Sequence, residues 1–218
     1  MKKYLSELLG TFAIVFFGTG AVVVNEQTGG TITHLGVALT FGLIVMAMIY
    51  TLGNVSGAHM NPAVTIAFTI ARRFPPKLVL PYICSQLAGA LLGSLLLHLL
   101  FPTNRQLGAT LPSGTAMQSF ILESVLTFFL MLVILNVATG SKEQGMFAGL
   151  AIGGTVLLMA LFAGPISGAS MNPARSIAPA VVSRNFSSLW MYVIAPVISA
   201  AAAVPVWQYL NKPINTNQ

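Results

Sequence analysis

Long apolar runs separated by short polar or Gly/Pro-marked stretches dominate the chain. The runs lie near 4–24, 35–54, 78–100, 117–139, 146–164 and 189–210. Each is close to the roughly 20 residues that a helix needs to cross a hydrocarbon core of about 30 Å. The pattern therefore predicts an all-α membrane protein with six transmembrane helices. Two further pieces, near 55–73 and 165–185, are too short and too rich in Gly and Pro to span.

Composition excludes the soluble alternatives. Hydrophobic residues make up 56% of the 218 residues and charged residues only 6%, and the mean hydropathy is +0.84. A typical soluble domain is about 25% charged, so a soluble enzyme, a nucleic-acid module and a secreted disulfide scaffold are excluded. The first apolar run is too long for a signal peptide. Cys84 is the single cysteine in the sequence and can form no internal bridge.

The distribution of basic residues predicts the orientation. In a six-span topology seven of the ten fall on one side and two on the other, and one lies in the second short piece. The seven are Lys2, Lys3, Arg72, Arg73, Lys77, Lys142 and Lys212; the two are Arg105 and Arg184. Under the positive-inside rule both termini are cytoplasmic. Orientation alone explains the net charge of +6, so no nucleic-acid partner is expected.

The two short pieces contain an internal repeat. SGAHMNPAVTIA at 56–67 and SGASMNPARSIA at 167–178 share nine of twelve positions at an offset of 111. Each half then consists of two spans, a short segment and a third span. An odd number of spans inverts the second half, so one channel domain, 1–218, contains inverted repeats of approximately 1–113 and 114–218. The short segments would enter the membrane from opposite faces.

Each short segment is predicted to begin a half-helix at its Asn-Pro-Ala motif. The motifs are Asn61, Pro62, Ala63 and Asn172, Pro173, Ala174. Asn is a favoured N-cap and Pro suits the first helical position, so we expect re-entrant half-helices at about 61–72 and 172–183. A single such motif is also typical of an ordinary turn, but two copies at equivalent positions favour the re-entrant interpretation. Their positive dipole ends would meet near the midplane.

The paired motifs, with Arg175 after the second, resemble the aquaporin (major intrinsic protein) family over the whole chain. Residues 164–176 and 48–53 are similar to its nodulin-like plant members and their bacterial relatives. The resemblance implies a homotetramer with one pore per subunit, no cofactor, and a place in the cell membrane, which for a bacterial relative is the inner membrane. Its partners would be membrane lipid, water and small neutral solutes.

The central motif is expected to hold passing solute. The side-chain amides of Asn61 and Asn172 would donate hydrogen bonds to the oxygen of each water molecule, while two positive helix ends repel protons and cations. Backbone carbonyls of the flanking loops would replace lost hydration. These loop residues are Gly57, Ala58, His59, Gly168, Ala169 and Ser170.

The narrowest constriction of the family maps onto Phe41, Ala160, Ala169 and Arg175, the filter residues. Water-selective members usually carry His at the position of Ala160; a register one residue earlier would bring Met159 there instead. Two alanines opposite one aromatic ring predict an opening wide enough for glycerol, urea or arsenous acid as well as water. A strictly water-selective channel is the alternative. Arg175 would exclude cations, although an arginine can also snorkel or pair with a carboxylate.

Three titratable residues have two interpretations each. Glu7 and Glu123 lie in the first span of each half, and an intramembrane carboxylate is a candidate proton relay. They can equally accept hydrogen bonds from a re-entrant loop, and their symmetry and the family resemblance favour this structural brace. His59 is either a pH gate or a packed loop residue.

Three classes of function remain to be compared. A passive channel for water and small uncharged solutes accounts for the duplicated motif. A secondary transporter also uses inverted repeats with broken helices, but no acid or base is free for ion coupling. The third class is a membrane enzyme or a structural anchor, which the lack of a catalytic or metal-binding set in the sequence and the duplicated motif both disfavour.

Overall fold

A computed structural model describes residues 1–141 and 145–212. In that part, six helices are long and apolar enough to cross a membrane, and two shorter helices lie between them. In chain order they are α1 (Lys2–Gln27), α2 (Thr33–Ser56), α3 (Pro62–Ile70), α4 (Val79–Leu100), α5 (Ala116–Thr139), α6 (Ala148–Ser167), α7 (Pro173–Ser183) and α8 (Leu189–Leu210). The predicted six-span, all-helical fold is confirmed. Lys142, which entered the charge count, lies outside the described residues.

The spanning helices pack in three pairs. Helix α2 lies along α6, α5 along α8, and α1 along α4. Glycines stand where the backbones approach most closely: a Cβ on Gly42 would lie 2.7 Å from the carbonyl oxygen of Gly153. Gly93 likewise faces the carbonyl oxygen of Phe12. Small residues at such crossings are the usual means of helix association in lipid.

Helices α3 and α7 are the two half-helices, each with its asparagine at the N-cap. The side-chain oxygen of Asn61 accepts from the backbone N–H of Ala63 at 2.9 Å, and that of Asn172 from Ala174 at 3.0 Å. Proline occupies the first turn of both helices. Helix α3 ends at Ile70, before the expected 72, because Arg72 has a left-handed φ of 58°.

Glycine is required where each spanning helix turns into its re-entrant loop. Gly57 caps α2 with φ 84° and Gly168 caps α6 with φ 83°. Residues other than glycine rarely adopt this left-handed backbone conformation, because their Cβ atom makes it unfavourable. The two loops therefore reverse direction in the same way, and each leads directly into its half-helix.

Helix α1 contains an irregular turn that the sequence did not indicate. Residues Ile14–Thr19 form a π-helical segment, and such segments occur often at functional sites. Gly18 lies in this segment, and a Cβ there would overlap the ring of Phe41. The absence of a side chain at Gly18 thus makes room for Phe41, one of the residues predicted for the filter.

Candidate functional site: two asparagines in a central cavity

The N-termini of the two half-helices meet at the two asparagines. Asn61 Nδ2 donates to the carbonyl oxygen of Met171 at 2.8 Å, and Asn172 Nδ2 donates to that of Met60 at 2.9 Å. Each hydrogen bond therefore crosses from one repeat to the other. An amide nitrogen carries two protons, so each asparagine keeps a second N–H. Both side chains line the central cavity, where that N–H is available to a solute.

Each re-entrant loop is held by a buried carboxylate on the first helix of its half. Glu7 Oε1 accepts from the Ser56 hydroxyl at 2.7 Å and the His59 N–H at 3.0 Å, and Glu7 Oε2 accepts from the Met60 N–H at 2.7 Å. Gln86 Nε2 donates to the same Oε2 at 2.7 Å. These donors would otherwise be stranded at membrane depth. These contacts agree with the interpretation of Glu7 as a structural brace for the re-entrant loop rather than as a proton relay.

Glu123 makes the matching set in the second half. Its Oε1 accepts from the Ser167 hydroxyl at 2.7 Å and the Ser170 N–H at 2.9 Å, and its Oε2 from the Met171 N–H at 2.8 Å. A tyrosine on the last helix of the half completes the arrangement, since Tyr192 donates to the carbonyl oxygen of Ser167 at 2.7 Å. Both carboxylates are fully buried. Ionised carboxylates accept such hydrogen bonds more strongly than neutral groups do.

The ring of His59 packs in an aromatic cluster. Its centroid lies 4.8 Å from that of Phe68, 4.7 Å from Phe74 and 5.3 Å from Tyr82. His59 Nδ1 lies 3.1 Å from the hydroxyl of Thr65. That hydroxyl donates a hydrogen bond to the backbone carbonyl oxygen of Asn61. These contacts agree with the packed-loop interpretation of His59 rather than with a free gate.

A chain of hydroxyls takes the corresponding place in the second half. Thr110 donates to Ser176 at 2.8 Å, Ser176 and Ser170 share a short hydrogen bond, and Ser170 donates to the carbonyl oxygen of Asn172 at 3.0 Å. Thr110 belongs to the long connection between α4 and α5. That connection therefore helps to hold the second asparagine, a role that nothing in the repeat pattern indicated.

Arg175 is buried in the lining of the cavity, with only 3% of its surface exposed. Its Nη1 donates to the carbonyl oxygen of Gly108 at 2.8 Å, and its Cζ lies 5.1 Å from the ring centroid of Phe41. Within residues 1–141 and 145–212, Nε has no hydrogen-bond partner. One nitrogen of the guanidinium, Nη1, is thus fixed by a hydrogen bond, and Nε remains available to donate to a solute.

One cavity of about 710 Å³ connects these groups. Its lining includes most of the predicted residues, namely Phe41, Gly57, Ala58, His59, Asn61, Ala169, Ser170, Asn172 and Arg175. Apolar side chains of α2, α5 and α6 form the facing surface, among them Val45, Ile134 and Val156. The cavity thus has a polar strip of loop backbone, amides and guanidinium, and the spanning helices add apolar side chains together with Tyr50 and Asn54.

The remaining predicted residues are not among those that line the cavity. Ala160 is buried in the same apolar cluster as Phe41 and Ala169, and its neighbour Met159 packs at the edge of that cluster. Ala63 and Ala174 have no exposed surface, and the two motif prolines are buried with them. The motif prolines and alanines form the first turns of the two half-helices, and Gly168 caps α6.

Comparison with known proteins settles the family. A sequence profile described as "Major intrinsic protein" matches residues 1–207. The chain belongs to the major intrinsic protein family. The resemblance inferred from the paired motifs is therefore confirmed. Members of this family are channels of the aquaporin and aquaglyceroporin type, not enzymes, and the chain is an integral multi-pass membrane protein.

Similar relatives come from plants. Aquaporin NIP1-1 of Oryza sativa subsp. japonica is 46% identical over 218 residues, which cover 98% of this chain and 77% of the relative. Nodulin-26 of Glycine max is 45% identical, over 99% of this chain and 81% of its own length. The X-ray structure of the aquaglyceroporin from Plasmodium falciparum is 26% identical, with a TM-score of 0.83 and 94% of both chains covered.

Proposed function

We propose that this major intrinsic protein is a passive channel for water and small uncharged solutes that excludes protons and ions. The solutes are glycerol, urea and neutral metalloid hydroxides such as arsenous acid. The observation that carries the proposal is the meeting of Asn61 and Asn172 in one continuous cavity. Amide donors that face a water-filled passage at membrane depth suit a neutral hydroxylated solute.

Passage depends on replacing the hydration of the solute. The free N–H of each asparagine donates to a solute oxygen, and loop backbone at Gly57, Ala58 and Ala169 lies along the same strip of the cavity. The apolar side chains that line the rest of the cavity, such as Val45, Ile134 and Val156, offer no hydrogen bond, so the polar strip orients the solute. Carbon atoms of glycerol or urea fit against that apolar surface, and their polar atoms face the strip.

Ion exclusion depends on fixed positive charge. Arg175 places a full charge at the outer constriction, and the N-termini of α3 and α7 add partial positive charge where the asparagines meet. In surroundings of low dielectric these charges repel cations strongly. A neutral solute passes both places with little electrostatic cost.

The breadth of the solute class depends on the filter residues. Ala160 and Ala169 are small, and the ring of Phe41 lies back against Gly18. These features support an opening for glycerol-sized solutes, and the likeness to a protein titled aquaglyceroporin supports the same class. A strictly water-selective channel is the competing proposal and differs in one measurable quantity, the glycerol permeability.

The proposed assembly is a homotetramer with one pore per subunit. Both termini lie in the cytoplasm and, in a bacterial host, the protein lies in the inner membrane.

Two contacts bear on the orientation. Tyr4 and Tyr82 are in ring contact at 6.0 Å, and Arg73 lies 5.5 Å from the ring of Trp207. These contacts support placing the N-terminus, the loop before α4 and the end of α8 on one side. The matching order of helices supports inverted repeats near 1–113 and 114–218.

Reconstitution in lipid vesicles tests the proposal. Water, glycerol, urea and arsenous acid permeabilities are measured side by side by stopped-flow scattering or uptake, with protein-free vesicles and Asn61→Asp vesicles as controls. The carboxylate keeps the size of the amide but removes its donor, so the Asn61→Asp channel should conduct less. Flux that stops at equal concentrations supports a channel. Uphill accumulation would establish a transporter instead, and water flux without glycerol flux would establish the water-selective alternative.

A further inference from the structure

An exposed histidine on α2 donates a hydrogen bond to the backbone of α6. His34 Nε2 lies 2.7 Å from the carbonyl oxygen of Leu161. A carbonyl oxygen only accepts, so Nε2 carries the proton in this contact. His34 stands in the first turn of α2, and Leu161 is in the last two turns of α6. The bond joins the two helices near their outer ends.

The acceptor is a carbonyl that the helix itself cannot satisfy. Pro165 lies inside α6, four residues after Leu161. Proline has no N–H, so it leaves the carbonyl of the fourth residue before it without its helical donor. Proline in a membrane helix is tolerated where a neighbouring group supplies the missing hydrogen bond. The imidazole N–H of His34 supplies it here.

Gly164 provides the space for this contact. A Cβ built on Gly164 would lie 2.8 Å from His34 Cε1 and 3.5 Å from Nδ1. The ring therefore lies directly against the bare backbone of α6. The hydrogen bond and the missing side chain are two separate features of α6 that fit the same histidine.

The contact lies beside the filter residues. Leu161 directly follows Ala160, and Phe41 follows His34 by seven residues, or about two helical turns. The bond thus joins the α2 segment that carries Phe41 to the α6 segment that carries Ala160. Among the described residues, the set that lines the cavity includes neither His34 nor Leu161. Any effect of His34 on permeation must therefore pass through the position of α6.

We infer that His34 is a specificity-determining positioning residue, which sets the distance between Phe41 and Ala160 by replacing the amide proton that Pro165 lacks. The inference rests on the proposed channel function. Without the bond, the freed carbonyl of Leu161 turns toward another donor, and the last turns of α6 shift at the proline. The opening between the filter residues then changes although no residue that lines it has been altered.

The test compares two substitutions of similar size in reconstituted vesicles. In His34→Gln the amide N–H reaches about as far as Nε2 and keeps a donor, whereas His34→Leu has none. We expect His34→Leu to change the glycerol-to-water permeability ratio by about twofold or more, and His34→Gln to keep the wild-type ratio. Equal ratios in His34→Leu and wild type, or equal changes in both variants, would overturn the inference.

Replacing the proline gives a sharper second arm. Pro165→Ala restores a backbone N–H for the carbonyl of Leu161, so His34→Leu should have little further effect in that background. An undiminished effect would show that His34 acts by another route. Gly164→Ala, which displaces the ring, should behave like His34→Leu.

A third readout does not depend on conduction. Hydrogen exchange of the 158–167 peptide should be faster in His34→Leu than in wild type or His34→Gln. This readout applies even if wild-type vesicles conduct no glycerol. That result would overturn the proposed solute class but not the role of the His34–Leu161 hydrogen bond. Unchanged exchange would overturn the role of that hydrogen bond but not the proposed channel function. The same comparison decides the matter if Pro165→Ala does not fold.

Discussion

At the scale of single residues, the proposed filter combines one fixed charge with three uncharged side chains that have different roles. Arg175 is anchored through Nη1 to Gly108 and keeps its Nε free among the residues that the structure describes. Phe41 lies between that guanidinium and Gly18. The alanines at 160 and 169 contribute by being small. In the proposed filter, polarity therefore depends mainly on Arg175, and width depends on the other three residues.

Enlarging Ala160 is expected to narrow the opening. In Ala160→His the imidazole adds bulk and a polar edge, so the water-to-glycerol permeability ratio should rise by about tenfold, the lower end of the discrimination that a change of this kind gives. Stopped-flow assays on reconstituted vesicles measure the ratio. Met159→His is the matched control, since Met159 lies at the edge of the cluster. A rise in the control alone would assign the filter position to 159.

Removing the charge at Arg175 is expected to weaken cation exclusion. A unit charge contributes on the order of 1 to 4 kcal/mol at 4 Å, between water-like and protein-like dielectric, so proton leak through Arg175→Val should rise about tenfold. A pH-sensitive dye inside the vesicles measures the leak. Arg105→Val, which removes an exposed arginine, is the control and should leak like the wild type. An unaltered leak in Arg175→Val would assign exclusion to the helix ends alone.

At the scale of elements, the re-entrant segments need donors and acceptors because non-helical backbone at membrane depth has no water to bind. Glu7 and Glu123 satisfy the loop amides, and Tyr82 and Tyr192 each donate to the carbonyl of the serine before the loop, Ser56 and Ser167. The two halves differ beyond this shared frame. The first uses His59 and an aromatic cluster, and the second uses hydroxyls and the connection after α4.

Breaking one brace is expected to destabilise the fold. Glu7→Gln leaves one acceptor oxygen for four donors, and each stranded buried donor costs about 1 to 3 kcal/mol. The melting temperature in detergent should fall by several degrees, since about 1 kcal/mol lowers it by ~2 to 4 °C in a chain of this size. Glu26→Gln is the control, because Glu26 is exposed and accepts through one oxygen. Equal melting of both variants would contradict the brace interpretation.

At the scale of the whole molecule, opposite ends of the helix bundle carry different connections. The end with Arg73 and Trp207 also holds the N-terminus, and the other end holds the loop that is tied by Glu26 to Asn104 at 2.9 Å. In the proposed orientation, with both termini in the cytoplasm, the second end lies outside. The filter and the His34 contact then lie toward the outer surface.

Cysteine labelling checks this orientation. In a Cys84→Ala background, Arg105→Cys should react with a membrane-impermeant maleimide added to intact cells, and Lys77→Cys should react only after permeabilisation. Both original residues are exposed, so reactivity reports sidedness. Labelling of Lys77→Cys from outside would reverse the proposed orientation.

Much of this protein follows from its sequence alone, because hydropathy and helix capping act locally. Six apolar runs predicted six spans, and Asn followed by Pro predicted the starts of both half-helices. The offset of 111 predicted that Asn61 and Asn172 are equivalent, and Arg175 stood out as a charge beside the second motif. Each of these conclusions depends on residues close together in the chain.

Only the tertiary structure determined which distant groups share a hydrogen bond. Three of these hydrogen bonds join residues more than 50 positions apart: Arg175 with Gly108, Gln86 with Glu7, and His34 with Leu161. The contact between Gly18 and Phe41 likewise joins separate helices. No periodicity or cap signal couples such positions. Membrane depth requires that buried backbone donors and acceptors be paired, but the partner is determined by how the helices pack, and packing depends on the whole chain at once.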